Sequence, residues 1–215
     1  GLGSRVEETR VSDAQGAILS TENKTDMALI GNGYFALQNL NDNTVSFTRN
    51  GAFGLDEQGF LTTADNHRVL GTPIFENDFG QTPDNIEALQ PIQIPSIKDD
   101  LVMSELEIAE DGRISARYGE QDPVPISSLT IGIFSNPIGL KELGNARFSA
   151  TERSGLLTLG APMDSGFADL QVGGLEISNV NITDELTAMI KAQQQFNGSA
   201  RLMQANSDMV EKLTR

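Results

Sequence analysis

From Ile182 to Arg215 the chain runs without a proline and with one glycine, Gly198, drawing mainly on Ala, Leu, Met, Gln, Glu and Lys, which are good helix formers. This stretch predicts a helix of some thirty residues, roughly 48 Å long at about 1.5 Å per residue. Asn181 or Thr183 is placed to cap it, Asp184 and Glu185 suit its first turn, and Lys212 and Arg215 suit its carboxyl end. Ile182, Leu186, Met189, Gln193, Phe196, Ala200, Met203, Ser207, Val210 and Thr214 succeed one another in alternating steps of four and three. That is a coiled-coil seam interrupted by the polar Gln193, Ser207 and Thr214. Ile190, Met209 and Leu213 widen the apolar stripe, which predicts contacts with more than one neighbour. Fully burying the apolar seam residues contributes on the order of 10 kcal/mol, whereas leaving them wet leaves a helix of marginal stability. A domain made of the preceding ~170 residues has a radius of gyration of roughly 16 Å and is too small to shelter the whole length. The sequence therefore predicts an assembly interface formed by Ile182, Leu186, Met189, Ile190, Gln193, Phe196, Ala200, Met203, Val210 and Leu213.

The remainder has a different period. From about Arg5 to Ser178, Gly, Pro, Asn and Asp recur every few residues, and apolar residues come in short runs or alternation, as in Met27–Ile30, Tyr34–Leu37, Ile92-x-Ile94 and Leu129-x-Ile131-x-Ile133. Many short strands are predicted. Asn41-Asp42-Asn43 supplies a hairpin reversal, and Asn50-Gly51 is a second such signal. Leu55-Asp56-Glu57-Gln58-Gly59-Phe60-Leu61 matches Ile108-Ala109-Glu110-Asp111-Gly112-Arg113-Ile114, which predicts two equivalent hairpins with Gly59 and Gly112 at positive φ. Asn136 to Gly144 reads as a helical turn, with Asn136 as cap, Pro137 first and Gly144 as stop. The predicted fold class is mainly β: an outer domain of short strands and hairpins, an extended connector, and one long carboxyl-terminal helix.

Charge and composition narrow the chemistry. Fifteen Lys and Arg against thirty Asp and Glu leave a net charge of −15, and that field repels phosphate backbones and anionic lipid. From Asn179 onward four basic residues balance four acidic ones, so the whole excess lies before the helix. No run approaches the ~20 apolar residues of a bilayer span. The predictions are no nucleic-acid partner and no membrane insertion. With no Cys and one His, thiolate nucleophiles, disulfide frameworks and His-rich metal sites are excluded, and we expect no catalytic residue, no cofactor and no metal. The absence of Cys suits a chain exported unfolded. The first residue is Gly1 rather than Met, from which we expect a natural amino-terminal part to be missing.

Several residues carry sharper readings, each weaker than its plain alternative. His67, in Asp65-Asn66-His67-Arg68, reads as a solvated turn residue rather than a base or pH switch. Asn39, Asn41 and Asn43 alternate like a calcium loop, but Thr44 stands where its Gly should be and Asn50 where its bidentate Glu should be. The acidic pairs Asp56-Glu57 and Glu110-Asp111 fall in turns rather than in a glycosidase-like cleft. Gly31-Asn32-Gly33 precedes a strand, not a helix, and reads as a reversal between strands rather than a dinucleotide loop. Met189, Met203 and Met209 are seam filling or an adaptable partner surface, and the two readings converge.

Several ordered blocks carry a resemblance. Gly1-Leu2-Gly3-Ser4-Arg5-Val6, Gln15-Gly16, Asp26 to Phe35, Phe47 to Asp56, Gly59-Phe60-Leu61 and His67 to Gly71 stand in the centre of the chain and before it. Leu175-Glu176-Ile177-Ser178-Asn179-Val180-Asn181, with Leu186, Thr187, Met189, Ile190, Ala192, Gln193 and Phe196, stand at the carboxyl end. These blocks resemble the axial proteins of the bacterial flagellum, the rod and hook subunits, with residues 72–125 the least family-like. Gly31, Gly33, Phe35, Arg49, Gly51, Gly59, Ser178 and Asn179 are the signature positions. The resemblance implies an extended connector over 1–22, a β-rich domain over 23–172, and a connector with an assembly helix over 173–215. It further implies a structural, non-enzymatic subunit that self-assembles with other copies and with neighbouring axial proteins into a hollow helical shaft carrying torque from motor to hook. Such a subunit is exported by the flagellar type III apparatus and resides in the periplasm-spanning rod of the basal body. The amino-terminal helix of relatives, the expected partner of the carboxyl helix, is absent from these residues. The short middle region favours a distal rod subunit, with a proximal-rod relative or a short hook subunit as alternatives. Outside the family, an acidic β-rich secreted adhesin with a coiled-coil tail and a glycoside-acting enzyme are the competing readings.

Overall fold

The computed structural model describes residues 15–74, 83 and 85–213, and the chain divides into two units, Gly1–Ile177 and Ser178–Arg215. The sequence blocks over 1–14, residues 75–82 and 84, Thr214 and Arg215, and the side chains of Ser207, Glu211, Lys212 and Leu213 lie outside the described residues.

The first unit is made of short strands. In order they are β1 (Ile18–Ser20), β2 (Met27–Ile30), β3 (Tyr34–Asn39), β4 (Val45–Thr48), β5 (Phe53–Leu55), β6 (Leu61–Thr63), β7 (His67–Pro73), β8 (Gln90–Pro91) and β9 (Ile97–Lys98). There follow β10 (Leu101–Ile108), β11 (Arg113–Tyr118), β12 (Val124–Leu129), β13 (Ile131–Phe134), β14 (Lys141–Gly144), β15 (Arg147–Ser149), β16 (Leu157–Gly160), β17 (Asp169–Val172) and β18 (Gly174–Glu176). Fourteen strands form one hydrogen-bonded network whose main path runs β14-β15-β4-β3-β7-β12-β11-β10-β9. Two further pairs, β1–β18 and β2–β17, stand apart from it.

Strand β3 shows why the sequence reads as it does. Successive side chains of a strand point to opposite faces. Phe35 and Leu37 enter a core with Met27, Leu29, Val69, Ile114 and Ile131, while Tyr34 and Ala36 enter a second with Phe47, Leu70 and Phe134. A strand covered on both faces has no polar alternation, hence the unbroken run Tyr34-Phe35-Ala36-Leu37. Edge-on rings reinforce both cores: Phe35 with Phe53 at 5.1 Å between centroids, and Phe47 with Phe134 at 4.8 Å.

The hairpins with local signals form where predicted. In the β3–β4 turn Asn43 takes φ 54°, and the Thr44 hydroxyl and amide donate to Asp42 at 2.7 and 3.1 Å, holding its carboxyl below the usual range. The two matched segments are equivalent: Leu55 faces Leu61 and Ile108 faces Ile114, with Gly59 at φ 81° and Gly112 at φ 82°. In each turn the Gly amide donates back to residue 56 or 109, at 3.0 and 2.9 Å. Both acidic pairs sit in these turns, where Asp56 accepts from the amides of Gln58 and Phe60, and Asp111 from that of Arg113.

Four expectations are corrected. Asn136 to Gly144 is not a helical turn of that length. A single 3₁₀ turn spans Pro137–Gly139, Asn136 makes no side-chain cap, and Lys141–Gly144 is strand β14. Pairing decides the matter, because β14 joins β15, whose Phe148 packs edge-on against Tyr34 at 5.8 Å. Asn50-Gly51 does not close a hairpin, since β4 and β5 have different partners. Gly51 passes the Met27 backbone so closely that any Cβ would strike the Met27 carbonyl. Gly31-Asn32-Gly33 likewise does not join paired strands, but carries the chain from β2, paired with β17, into β3. Leu129-x-Ile131-x-Ile133 is split at Thr130 between β12 and β13, which pair with different strands.

The second unit holds the helix α1 (Ile182–Leu213), of 32 residues. Asn181, not Thr183, caps it: the Asn181 side-chain oxygen accepts the Thr183 amide at 3.1 Å, and its carbonyl accepts the amides of Asp184 and Glu185. Among the described residues no helix is long and apolar enough to cross a membrane.

Candidate functional site

Signature residues far apart in sequence meet where the two ends of the β-unit come together. The ends pair as β1 and β18, with Ile18 opposite Glu176, Leu19 opposite Leu175 and Ser20 opposite Gly174. Gln15, just before β1, donates its side-chain amide to the Leu29 carbonyl at 2.6 Å and accepts the Gly31 amide at 2.9 Å. Glu176 accepts the Gly16 amide at 2.9 Å on one carboxylate oxygen and Arg49 Nε at 3.1 Å on the other. Arg49 also donates Nη1 to the carbonyls of Gly31 and Gly33, at 2.9 and 3.2 Å. The Arg49 and Glu176 side chains are 21% and 13% exposed, so the pair is partly shielded from the solvent screening that weakens surface ion pairs. A Cβ on Gly16 would strike the Ile177 carbonyl, and one on Gly33 would strike Ile131. Thus Gly31, Gly33 and Arg49 converge in one place with Gln15, Gly16 and Glu176.

The other signature positions serve elsewhere. Phe35 is fully buried in the core, Gly51 underlies Met27, and Gly59 makes the β5–β6 turn. Ser178 and Asn179 lie in the lead into α1, where the Ser178 hydroxyl accepts the Val180 amide at 3.2 Å.

Along α1 the predicted interface residues Ile182, Leu186, Met189, Ile190, Phe196, Met203 and Val210 are all exposed, as are Gln193 and Ala200, while the Leu213 side chain is outside the described residues. At about 100° per residue, the positions from Ile182 to Val210 follow one slowly drifting stripe. Met209, about 100° around the helix from Val210, flanks that stripe, and seven residues before it stands Leu202, a 73% exposed side chain that the seam reading passed over. The signal was present as the 202-to-209 heptad step, masked by the adjacent Met203–Val210 step.

His67 overturns its sequence reading. It is 7% exposed, not solvated, and opens β7. The Arg147 guanidinium can only donate, so His67 Nε2 accepts from it, which assigns the proton to Nδ1, donating to the Asp65 carbonyl at 3.0 Å. Asn145 adds a bond to the Asp65 carboxylate at 2.9 Å. The group pins the β6–β7 turn to the β14–β15 hairpin. Arg147 lies 80 residues away in sequence, so no local pattern announced it.

The described residues thus comprise a sheet unit whose first and last strands pair and a 32-residue helix with an exposed apolar stripe. Comparison places those parts. Residues 28–116 match the flagellar hook protein FlgE/F/G D1 domain, and residues 171–215 match the flagellar basal body rod FlgEFG protein C-terminal domain. The flagellar basal-body rod protein FlgG of Agrobacterium fabrum is 30% identical over 216 residues, covering 100% of this chain and 73% of the relative. That of Bacillus subtilis is 31% identical over 214 residues, covering 99% and 73%. The flagellar hook protein FlgE of Caulobacter vibrioides is 32% identical over 111 residues, covering 52% of this chain and 19% of the relative. The chain belongs to the flagellar rod and hook protein family, a family of structural subunits.

Proposed function

We infer that this protein is a subunit of the flagellar basal-body rod, packing α1 between helices of neighbouring subunits to build a hollow shaft that carries torque. The observation that carries the reading is a 32-residue helix with exposed Leu186, Met189, Phe196 and Met203, in the region matched by the rod carboxyl-terminal domain. A lone helix cannot bury its own stripe, and most helical stability in proteins comes from packing an apolar face. A stripe through Met203 and Val210, broadened by the flanking Leu202 and Met209, suits contact with more than one neighbour. A heterologous interface whose rotation does not close on itself produces an open helical filament.

In this reading Ile182, Leu186, Met189, Ile190, Gln193, Phe196, Ala200, Met203, Val210 and Leu213 face other helices, including the amino-terminal helix that family members carry. Residues 23–172 form the outer domain, and 1–22 and the lead into α1 are connectors. The work is mechanical and no reaction is catalysed. The subunit is exported through the flagellar secretion apparatus and sits in the periplasm-spanning rod. The partial match to a hook protein, over 19% of that relative against 73% of the rod relatives, favours the rod over the hook.

The test is Met189→Asp with Phe196→Asp in the full-length protein. Rod completion and motility are expected to fail, while the thermal melt of the β-unit within the purified variant chain stays nearly unchanged. Swimming cells with complete rods would overturn the assignment of this helix as the assembly surface.

A further inference from the structure

A pair of three-residue strands is marginal in water by itself, so the order of β1–β18 depends on what the pair is fastened to. Beside the adjoining β2–β17 ladder and the Gly173 amide bonded to the Asp26 carbonyl, one side chain from each end fastens it. Gln15, on the incoming end, grips the turn at Leu29 and Gly31. Glu176, on the outgoing end, holds the Gly16 amide and is held in turn by Arg49. Arg49 closes the circuit through the Gly31 and Gly33 carbonyls, the same turn that Gln15 grips. Each end is therefore attached both directly and through the other. Nη1 serves the Gly31 and Gly33 carbonyls, Nη2 reaches the Leu29 carbonyl at 3.5 Å and Nε serves the carboxylate, a division that a planar guanidinium permits and a lysine ammonium does not.

We propose that Arg49 is a positioning residue that locks the segments at β1 and β18 to the Gly31 turn as one cooperative unit, so that a pull on either segment passes into the sheet instead of peeling one strand. The purpose of the lock rests on the proposed torque-carrying function; its existence is a property of the single chain and is tested there. A chain that assembles no rod could still show the lock, and a rod subunit could lack it.

Hydrogen exchange of the whole purified chain, followed residue by residue, decides the matter. In Arg49→Met the amides of Gly16, Gly31 and Ile177 are expected to exchange at least ~10-fold faster, while Leu37 and Val69 in the core change by less than about 2-fold. Arg49→Lys is expected to restore little of the protection. Gln15→Ala is the sharper variant, because the Gln15 side chain bonds Leu29 and Gly31 while the Ile177 amide bonds the Ala17 carbonyl: cooperative locking predicts faster exchange at Ile177 as well as at Gly31. Should Arg49→Met fail to fold, Gln15→Ala and Glu176→Gln carry the test alone. Loosening confined to the mutated end, acceleration spread evenly over all amides, or full rescue by lysine would each overturn the proposal.

Discussion

Phe35 and Phe196 are the same side chain in opposite surroundings. Phe35 is fully buried between sheet neighbours, with Phe53 edge-on to its ring, whereas Phe196 is 75% exposed on a helix with no second layer in its own unit. The β-unit satisfies its apolar residues internally, on both faces of β3. The helix spends a comparable apolar stripe on nothing within its unit. What separates the two is geometry: strands brought side by side cover one another, while a single helix presents every face outward. The comparison teaches that apolar content marks a core only where the topology supplies a cover, and marks an interface where it does not.

Three substitutions sharpen the contrast. Phe35→Ala is expected to have the largest effect, destabilising the β-unit by about 3–5 kcal/mol in urea unfolding, because the cavity forms between well-packed strands. A loss below about 1 kcal/mol would mean that the core is looser than its burial implies. His67→Phe comes next, at roughly 1–3 kcal/mol, because it removes the acceptor of Arg147 Nη1 and leaves that largely buried guanidinium only its ion pair with Asp65 at 3.5 Å. The same unfolding series measures it, and a neutral result would show that Arg147 finds another acceptor. Phe196→Ala is the smallest, within about 0.5 kcal/mol in the isolated chain, because an exposed side chain away from any cover contributes little. A large loss there would break the comparison by showing that the single chain already shelters the helix.

The local features were open to reading from the sequence. The Asn41–Asn43 turn, the paired Gly59 and Gly112 hairpins and the Asn181 start of the helix all depend on residues within a few positions of one another. Their backbone preferences act before any long-range contact forms. The misreadings share the opposite cause. Asn136 to Gly144 carried adequate helix signals, but β14 gained a partner in β15 and the local preference lost. Asn50-Gly51 looked like a hairpin because close approach to a distant backbone selects glycine as strongly as a tight turn does. His67 looked solvated because its cover, Arg147, comes from another hairpin. At the junction the residues themselves were marked by resemblance, yet nothing in their spacing joined Gln15 to Gly31 or Arg49 to Glu176.

The order of residues alone determined a long helix with an apolar seam and a run of short strands punctuated at fixed turns, because periodicity and turn chemistry are local properties of the backbone. Tertiary structure alone decided which strands lie side by side, where His67 sits, and that Gln15, Gly16, Gly31, Gly33 and Glu176 are drawn together around Arg49. Those outcomes depend on contacts between segments up to 160 residues apart, as between Gly16 and Glu176, and such contacts exist only once the sheet has brought the segments together.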